Sequence, residues 1–208
     1  MVRRYHHGGA LAGITRDWFP GLGRAIGEIR ASERLRHSGI ATPEILAVYS
    51  KRSLLGLRRS CLLSRLVPDG ENLRQWVRRN NAGAGAWRPM MQRVAGGISD
   101  LHAAGCFHRD LNLSNLLVSS GRIWILDLDG AKLEDPLGIA PRGRNILRLY
   151  RSLIRESGRA EPLSPRDRVR FLRHYARKDR RLLRLVLAWS NAHGAGVRLR
   201  ASFRGGAS

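Results

Sequence analysis

The sequence predicts an α+β fold of two lobes, a small strand-bearing one followed by a larger, mainly helical one. Three observations carry this. Apolar runs of strand length lie ahead of residue 68 and close on the turn Pro68-Asp69-Gly70. Beyond that turn, apolar residues recur every three to four positions, most regularly from Trp87 to Leu101. Between the helical stretches lie two apolar runs, Leu116–Val118 and Ile123–Leu126, separated by Ser119-Ser120-Gly121-Arg122, a hairpin by composition. With 208 residues, 43% of them hydrophobic, and no low-complexity block, the chain can bury the core such a fold needs.

In chain order, Met1–Tyr5 reads as a short strand and His6–Gly13 as a glycine-containing connection. His6 and His7 adjoin, but no third ligand follows at metal-binding spacing, so they read as a solvated loop pair. Trp18–Gly23 is a breaker-rich loop. A helix is expected over Arg24–His37, with Ile26, Ile29 and Leu35 as a partial apolar stripe and Gly39 as its stop. Glu28 lies on it; without further context it is an exposed i,i+4 partner for an arginine. Strands follow at Ala41–Tyr49 and Ser60–Val67, then a first helix of the new lobe at Asn72–Arg79 and a polar loop at Asn80–Ala86. Trp87–Ala104 is the clearest helix, with Trp87, Met91, Val94, Ile98 and Leu101 on one face and Gly105 at its C′ position. After the hairpin, the glycine- and proline-bearing segment to Arg144 reads as loop and Asn145–Arg155 as helix. Ser164 with Pro165 opens another helix, to about Arg177, and Arg180–Trp189 closes the fold before a basic tail from His193.

The formal charge is +22, from 38 basic and 16 acidic residues, and Lys51, Lys132 and Lys178 are the only lysines. Such a field favours polyanions: nucleic acid, acidic lipid headgroups or phosphorylated sugars. No nucleic-acid reader motif accompanies it, which argues against a purely nucleic-acid-binding protein. Cys61 and Cys106 sit beside apolar residues outside any CxxC pair and read as reduced thiols of a cytoplasmic protein. No apolar run approaches the ~20 residues of a membrane span, so membrane contact would be peripheral.

The chemistry concentrates in Cys106–Gly130, CFHRDLNLSNLLVSSGRIWILDLDG. Asp110, Asn115 five residues later and Asp127 at the end of an apolar run place two carboxylates and an amide around one hairpin. That set can hold Mg²⁺ and a nucleotide's phosphates while one carboxylate receives a proton from an attacking hydroxyl. The competing reading of the two aspartates is as turn-capping carboxylates, and Asn115 between them favours the site reading over it.

His108-Arg109-Asp110-Leu111-(x)3-Asn115, followed by Ile125-Leu126-Asp127, resembles the catalytic loop and metal-binding aspartate of the protein-kinase-like superfamily. By that resemblance Asp110 is the catalytic carboxylate, His108 braces the loop, and Asn115 and Asp127 hold Mg²⁺ beside ATP. The departures point away from protein substrates. Asn112 stands where protein Ser/Thr kinases carry a lysine, Asp127-Leu128-Asp129 replaces Asp-Phe-Gly, and no Ala-Pro-Glu follows.

The same block is similar to the lipopolysaccharide core kinases, which act on 3-deoxy-D-manno-octulosonic acid (Kdo) or heptose. So are the helix from Arg144 to Leu153, the N-terminal VRRY-x-x-GG and Gly39-Ile40-x-x-Pro43. The similarity runs from Val2 to about Trp189. It implies ATP-dependent phosphorylation of an inner-core sugar on an anionic, Kdo–lipid A type glycolipid, by a cytoplasmic protein peripheral on the inner membrane. It places Arg3 where these folds carry the nucleotide-positioning lysine, with Glu28 as its partner. It aligns the first strand with the third strand of the superfamily, so a truncated N-lobe without the glycine-rich loop is expected, unless the start codon is placed too late. The domain reading is a partial N-lobe over 1–67, a C-lobe with the catalytic and metal-binding loops over 68–192, and a basic tail over 193–208. The competing readings are another kinase-fold enzyme, acting on protein or a small molecule, and a lid-less pseudokinase or binding module.

Overall fold

A computed structural model of the chain describes residues 1–4, 18–53, 56–80, 84–158, 163–177 and 179–188. The expected connection at His6–Gly13, its histidine pair and the tail from His193 lie outside the described residues. Strands β1 (Val2–Arg4), β2 (Ile45–Arg52) and β3 (Arg58–Ser64) form an antiparallel sheet in the order β1-β3-β2, in which Arg3 faces Leu62 and Leu62 faces Val48. Helix α1 (Gly23–His37) buries Ala25, Glu28, Ala31, Ser32 and Leu35. Phe19, Ala25 and Leu62 make a small core, with Ile45 and Val48 packed on it.

Two expectations change here. Ile26, placed in the apolar stripe of this helix, is 45% exposed. Its place is taken by small residues repeating every three to four positions, which let the helix lie close but rank low in hydrophobicity. The strand expected at Ala41–Tyr49 runs instead from Ile45 to Arg52. The residues ahead of it turn toward the other sheet, and the Ala41 carbonyl accepts from the Ile125 N–H at 2.8 Å.

The helical part opens with β4 (Glu71–Asn72), paired to β6 (Leu116–Ser119), which in turn pairs with β7 (Arg122–Ile125). The β6–β7 turn has positive φ at both Ser120 (49°) and Gly121 (72°), the pattern that matches strand twist in a two-residue hairpin. Asn72 caps α2 (Leu73–Arg79), accepting from the Arg74 N–H, while its own amide donates to the Ser114 carbonyl at 2.6 Å. Helix α3 (Ala84–Ala103) starts three residues before the expected Trp87. Val94, Ile98 and Leu101 from its predicted stripe are fully buried with Met90 and Ala95, and Trp76 meets Trp87 edge-on at 5.5 Å. Short strands β5 (Cys106–Phe107) and β8 (Lys132–Leu133) pair behind it.

The expected loop to Arg144 is corrected by α4 (Ile139–Ser157), which begins six residues before Asn145. Pro141 and Gly143 had argued for loop. Pro141 falls in the first turn, where backbone N–H groups have no intrahelical partner, so the proline removes no bond there. Helix α5 (Pro165–Ala176) starts as predicted, with the Ser164 hydroxyl accepting from the Asp167 N–H. Residues 180–188 are helical and add buried Val186 to the main core. Among the described residues no helix is long and apolar enough to cross a membrane.

Gly105 ends α3 with φ at 76°, and a Cβ there would lie 2.2 Å from the Glu134 carbonyl oxygen. The backbone can hold this turn only without a side chain, because Gly105 and Glu134 are joined by a hydrogen bond of 2.8 Å. Gly105→Ala is expected to cost at least about 1–3 kcal/mol, read as a lower urea midpoint. An unchanged midpoint would show that the Gly105 turn and the Glu134 backbone move apart freely.

Candidate active site

The site is built downward from the end of α3. The turn at Gly105 delivers the chain through β5 to His108, which is fully buried. Asn145, also fully buried on α4, holds the His108 peptide from both sides. Its Oδ1 accepts from the His108 N–H at 3.1 Å, and its Nδ2 donates to the His108 carbonyl at 2.7 Å. The same Oδ1 takes the Nε2–H of His102 at 3.0 Å, so His102 Nδ1 accepts from the Tyr175 hydroxyl at 2.8 Å. The side-chain nitrogens and oxygens of His102, Asn145 and Tyr175 in this buried network each have a hydrogen-bond partner, as burial requires.

The His108 ring then ties two segments together. Its Nδ1 accepts from the Asp110 N–H at 3.1 Å, which leaves the proton on Nε2, donated to the Leu126 carbonyl at 2.9 Å. Burial holds its pKa below the usual imidazole range, the Leu126 bond opposing. Both nitrogens of the buried His108 ring are therefore engaged within the protein. Asp110 itself is exposed. Its Oδ1 receives Arg148 at 3.2 Å and its Oδ2 receives the Asn112 amide at 2.9 Å.

Asn112, noted in the sequence only as a departure, has a structural task. Its Oδ1 accepts from the N–H groups of Ser114 and Asn115, capping the 3₁₀ turn Leu113–Asn115. Asn115 donates its Nδ2 to the Asp110 carbonyl at 2.8 Å, and its own carbonyl accepts from the Leu126 N–H at 2.9 Å. Leu126 is thus bonded to both His108 and Asn115, and Asp127 follows it directly, in the left-handed region with φ at 56°.

The other half of the site comes from the N-terminal elements. The Arg3 guanidinium reaches both Glu28 and Asp127. The Glu28 side chain is 6% exposed, so the reading of it as a surface partner is replaced by a buried ion pair. Arg24, at the start of α1, clasps Asp129 through two nitrogens and lies over the Phe19 ring at 4.5 Å. The six predicted residues therefore form one constellation, Asp110, His108 and Asn115 within the loop and Arg3, Glu28 and Asp127 across it. Sequence reasoning missed Asn145, Arg148 and the Arg24–Asp129 pair.

For a divalent cation, the donor chemistry fits. With Nδ2 of Asn115 fixed on the loop, its Oδ1 is the atom left for a metal, and the hydrogen bond from Arg3 to Asp127 goes to its Oδ1. Among the described residues there is no cluster of three or more carboxylate, imidazole or thiolate ligands. Mg²⁺ held by one or two protein oxygens together with substrate phosphates needs no such cage.

The model of the lipopolysaccharide kinase (Kdo/WaaP) family matches residues 1–175. The chain belongs to that family. It is 32% identical over 200 residues to a 3-deoxy-D-manno-octulosonic acid kinase of Xanthomonas axonopodis pv. citri (strain 306), covering 93% of this chain and 73% of that protein. It is 33% identical over 165 residues to the enzyme of the same name from Xanthomonas campestris pv. campestris (strain B100), covering 76% of this chain and 63% of that protein. Among solved structures it resembles a WaaP protein in complex with acyl carrier protein. There the TM-score is 0.64 at 26% identity, covering 85% of this chain and 74% of that one. The kinase-like α+β class expected from the sequence is the one found.

Burial lowers the His102 pKa to about 4, against an ordinary value near 6.5. A neutral imidazole favoured by the fold contributes stability in full above about pH 6.5, and that contribution falls as pH drops toward 4. The loss is on the order of 3 kcal/mol. Urea unfolding from pH 7 to pH 4 should therefore show a flatter stability profile in His102→Gln than in the unsubstituted protein. Parallel profiles would mean that His102 titrates normally.

Proposed function

We propose that the protein transfers the γ-phosphate of ATP to a sugar hydroxyl of the lipopolysaccharide inner core, with Kdo as the preferred acceptor over heptose. The observation that carries this is the joint anchoring of Leu126 by His108 and Asn115, which brings Asp127 to the loop bearing Asp110. The names of the two Xanthomonas relatives support Kdo as the sugar.

In this reading the acceptor hydroxyl gives its proton to the Asp110 carboxylate as its oxygen bonds to the γ-phosphorus and ADP departs. Arg148 and Asn112 fix the direction of that carboxylate. Such positioning of base and nucleophile, together with charge stabilisation, supplies most of phosphoryl-transfer catalysis. Mg²⁺, held by Asp127 and Asn115, would neutralise phosphate charge when bound. Arg3, steadied by Glu28, contributes a cation on the nucleotide side, with a fork that can contact two phosphate oxygens.

The +22 charge suits an anionic glycolipid presented on an anionic membrane surface. A basic protein gathers at such a surface by roughly 1 kcal/mol per basic residue near it. We place the protein peripherally on the cytoplasmic face of the inner membrane on this basis.

Asp110→Ala is expected to reduce phosphate transfer to Kdo–lipid A about 10²–10⁴-fold, and Asp127→Ala to abolish it, both with unchanged circular dichroism. Labelled ATP measures the transfer. Transfer by either variant at a rate near that of the unsubstituted protein would sink the assigned roles. Labelling of protein rather than glycolipid would instead identify a protein kinase, and a Mg²⁺–ATP thermal shift without transfer to any acceptor would identify a binding module.

A further inference from the structure

A cleft of about 420 Å³ opens beside the catalytic loop, lined by Arg74, Arg78, Asn112, Ser114, Ser152, Arg155 and Glu156. Its walls come from α2, the 3₁₀ turn and the C-terminal end of α4. None of Arg3, Glu28 and Asp127 lines it. It shares Asn112 with the site, and that residue's amide is bonded to Asp110.

Glu156 organises the cleft. Its side chain is 10% exposed and receives Arg74 at 2.6 Å and Arg78 at 2.9 Å. The hydrogen bond from Arg74 holds the Glu156 carboxyl below its usual range, with Arg78 adding to the effect. One carboxylate thus holds two guanidiniums side by side and neutralises only one of them. Each guanidinium has five N–H donors, so several stay available. Arg155 stands next to them, exposed, and among the described residues no acidic side chain pairs with it. Three arginines against one glutamate leave the cleft positive, in a lining of hydroxyls and an amide.

We propose that this cleft is the docking site for an oxyanion of the acceptor, a carboxylate or phosphate on the glycolipid whose hydroxyl reaches Asp110. This rests on the function proposed above. Fork-shaped donors held in advance suit planar carboxylates and phosphates, since little side-chain freedom is lost on binding. A ligand anchored here need not displace the nucleotide, because the cleft and the nucleotide-side residues are separate sets. Its distance from the base is bridged by one side chain, Asn112, which links acceptor seating to the Asp110 carboxylate.

The test uses steady-state kinetics of the full-length protein with Kdo–lipid A. Arg155→Glu is expected to raise the acceptor KM about tenfold, with the KM for ATP unchanged. Arg155→Lys, which keeps the charge, should recover part of the loss. Arg88→Glu, the same charge change on the exposed face of α3, should leave the acceptor KM near that of the unsubstituted protein. An Arg155→Glu variant with unchanged acceptor KM, or an equal effect from Arg88→Glu, would overturn the cleft while leaving the proposed function standing. No transfer to the Kdo acceptor by the unsubstituted protein would overturn the function itself and the cleft with it. Repeating the comparison with an acceptor lacking the lipid A phosphates identifies the anion. A penalty that persists assigns the carboxylate, and one that vanishes assigns the phosphate.

Discussion

Asn145 hydrogen-bonds both peptide groups of His108 and the ring of His102 with one buried carboxamide. The geometry of the site descends from this. Because the His108 peptide is fixed, its ring is fixed, and the ring sets the Asp110 N–H on one side and the Leu126 carbonyl on the other. Loop and hairpin are held at a common point inside the protein rather than at the solvent-facing carboxylates. Removing the carboxamide would strand a donor and an acceptor of His108 and the His102 Nε2–H, each at the full desolvation cost of a buried polar group, about 1–3 kcal/mol. Networks of this kind favour one arrangement strongly because a partial one is so costly.

Electrostatics joins the N-terminal sheet and α1 to this frame. Arg3 reaches from β1 to Glu28 on α1 and to Asp127 beyond the hairpin, and Arg24 reaches from α1 to Asp129. An arginine at position 3 can engage two carboxylates at once through its fork, which a lysine's compact ammonium does less well. The Glu28 side chain is 6% exposed, so its ion pair with Arg3 is screened less by solvent than an exposed pair. The Asp-Leu-Asp triplet thereby gives the N-terminal elements two attachment points, Asp127 to Arg3 of β1 and Asp129 to Arg24 of α1, where Asp-Phe-Gly would give one carboxylate.

How far the sequence foretold this depends on how local each feature is. The spacing His108, Asp110, Asn115, Asp127 was legible because all four lie within 20 residues and close on one hairpin. So were the Gly105 stop and the Ser164-Pro165 start, which act within a single turn. Asn145 was not legible as a lock, since its partners lie 37 and 43 residues away. Its trace in the sequence is a polar amide on the face of α4 that also buries Ile146, Leu149 and Leu153. The start of α4 was hidden for a different reason. Proline and glycine normally break helices, and only position within the first turn makes Pro141 harmless. The small-residue face of α1 was masked by Ile26, which hydrophobicity alone would turn inward.

The excess of arginine poses the same question of location, and composition cannot answer it. The structure answers through the minority charge. Three well-shielded carboxylates, Glu28, Asp129 and Glu156, have side chains 6%, 17% and 10% exposed, and they hold Arg3, Arg24, Arg74 and Arg78 in place. Pairs such as Arg65–Glu44 and Arg170–Asp167 are more exposed and add little that salt would not screen. In a chain this basic, a buried acid acts as a selector: it converts one or two members of a diffuse cationic field into groups with fixed direction. Salt would weaken the diffuse field, and with it any attraction to an anionic surface, before it disturbed these held arginines. Long-range attraction and local recognition can therefore be separated in this protein by ionic strength, because they depend on different arginines.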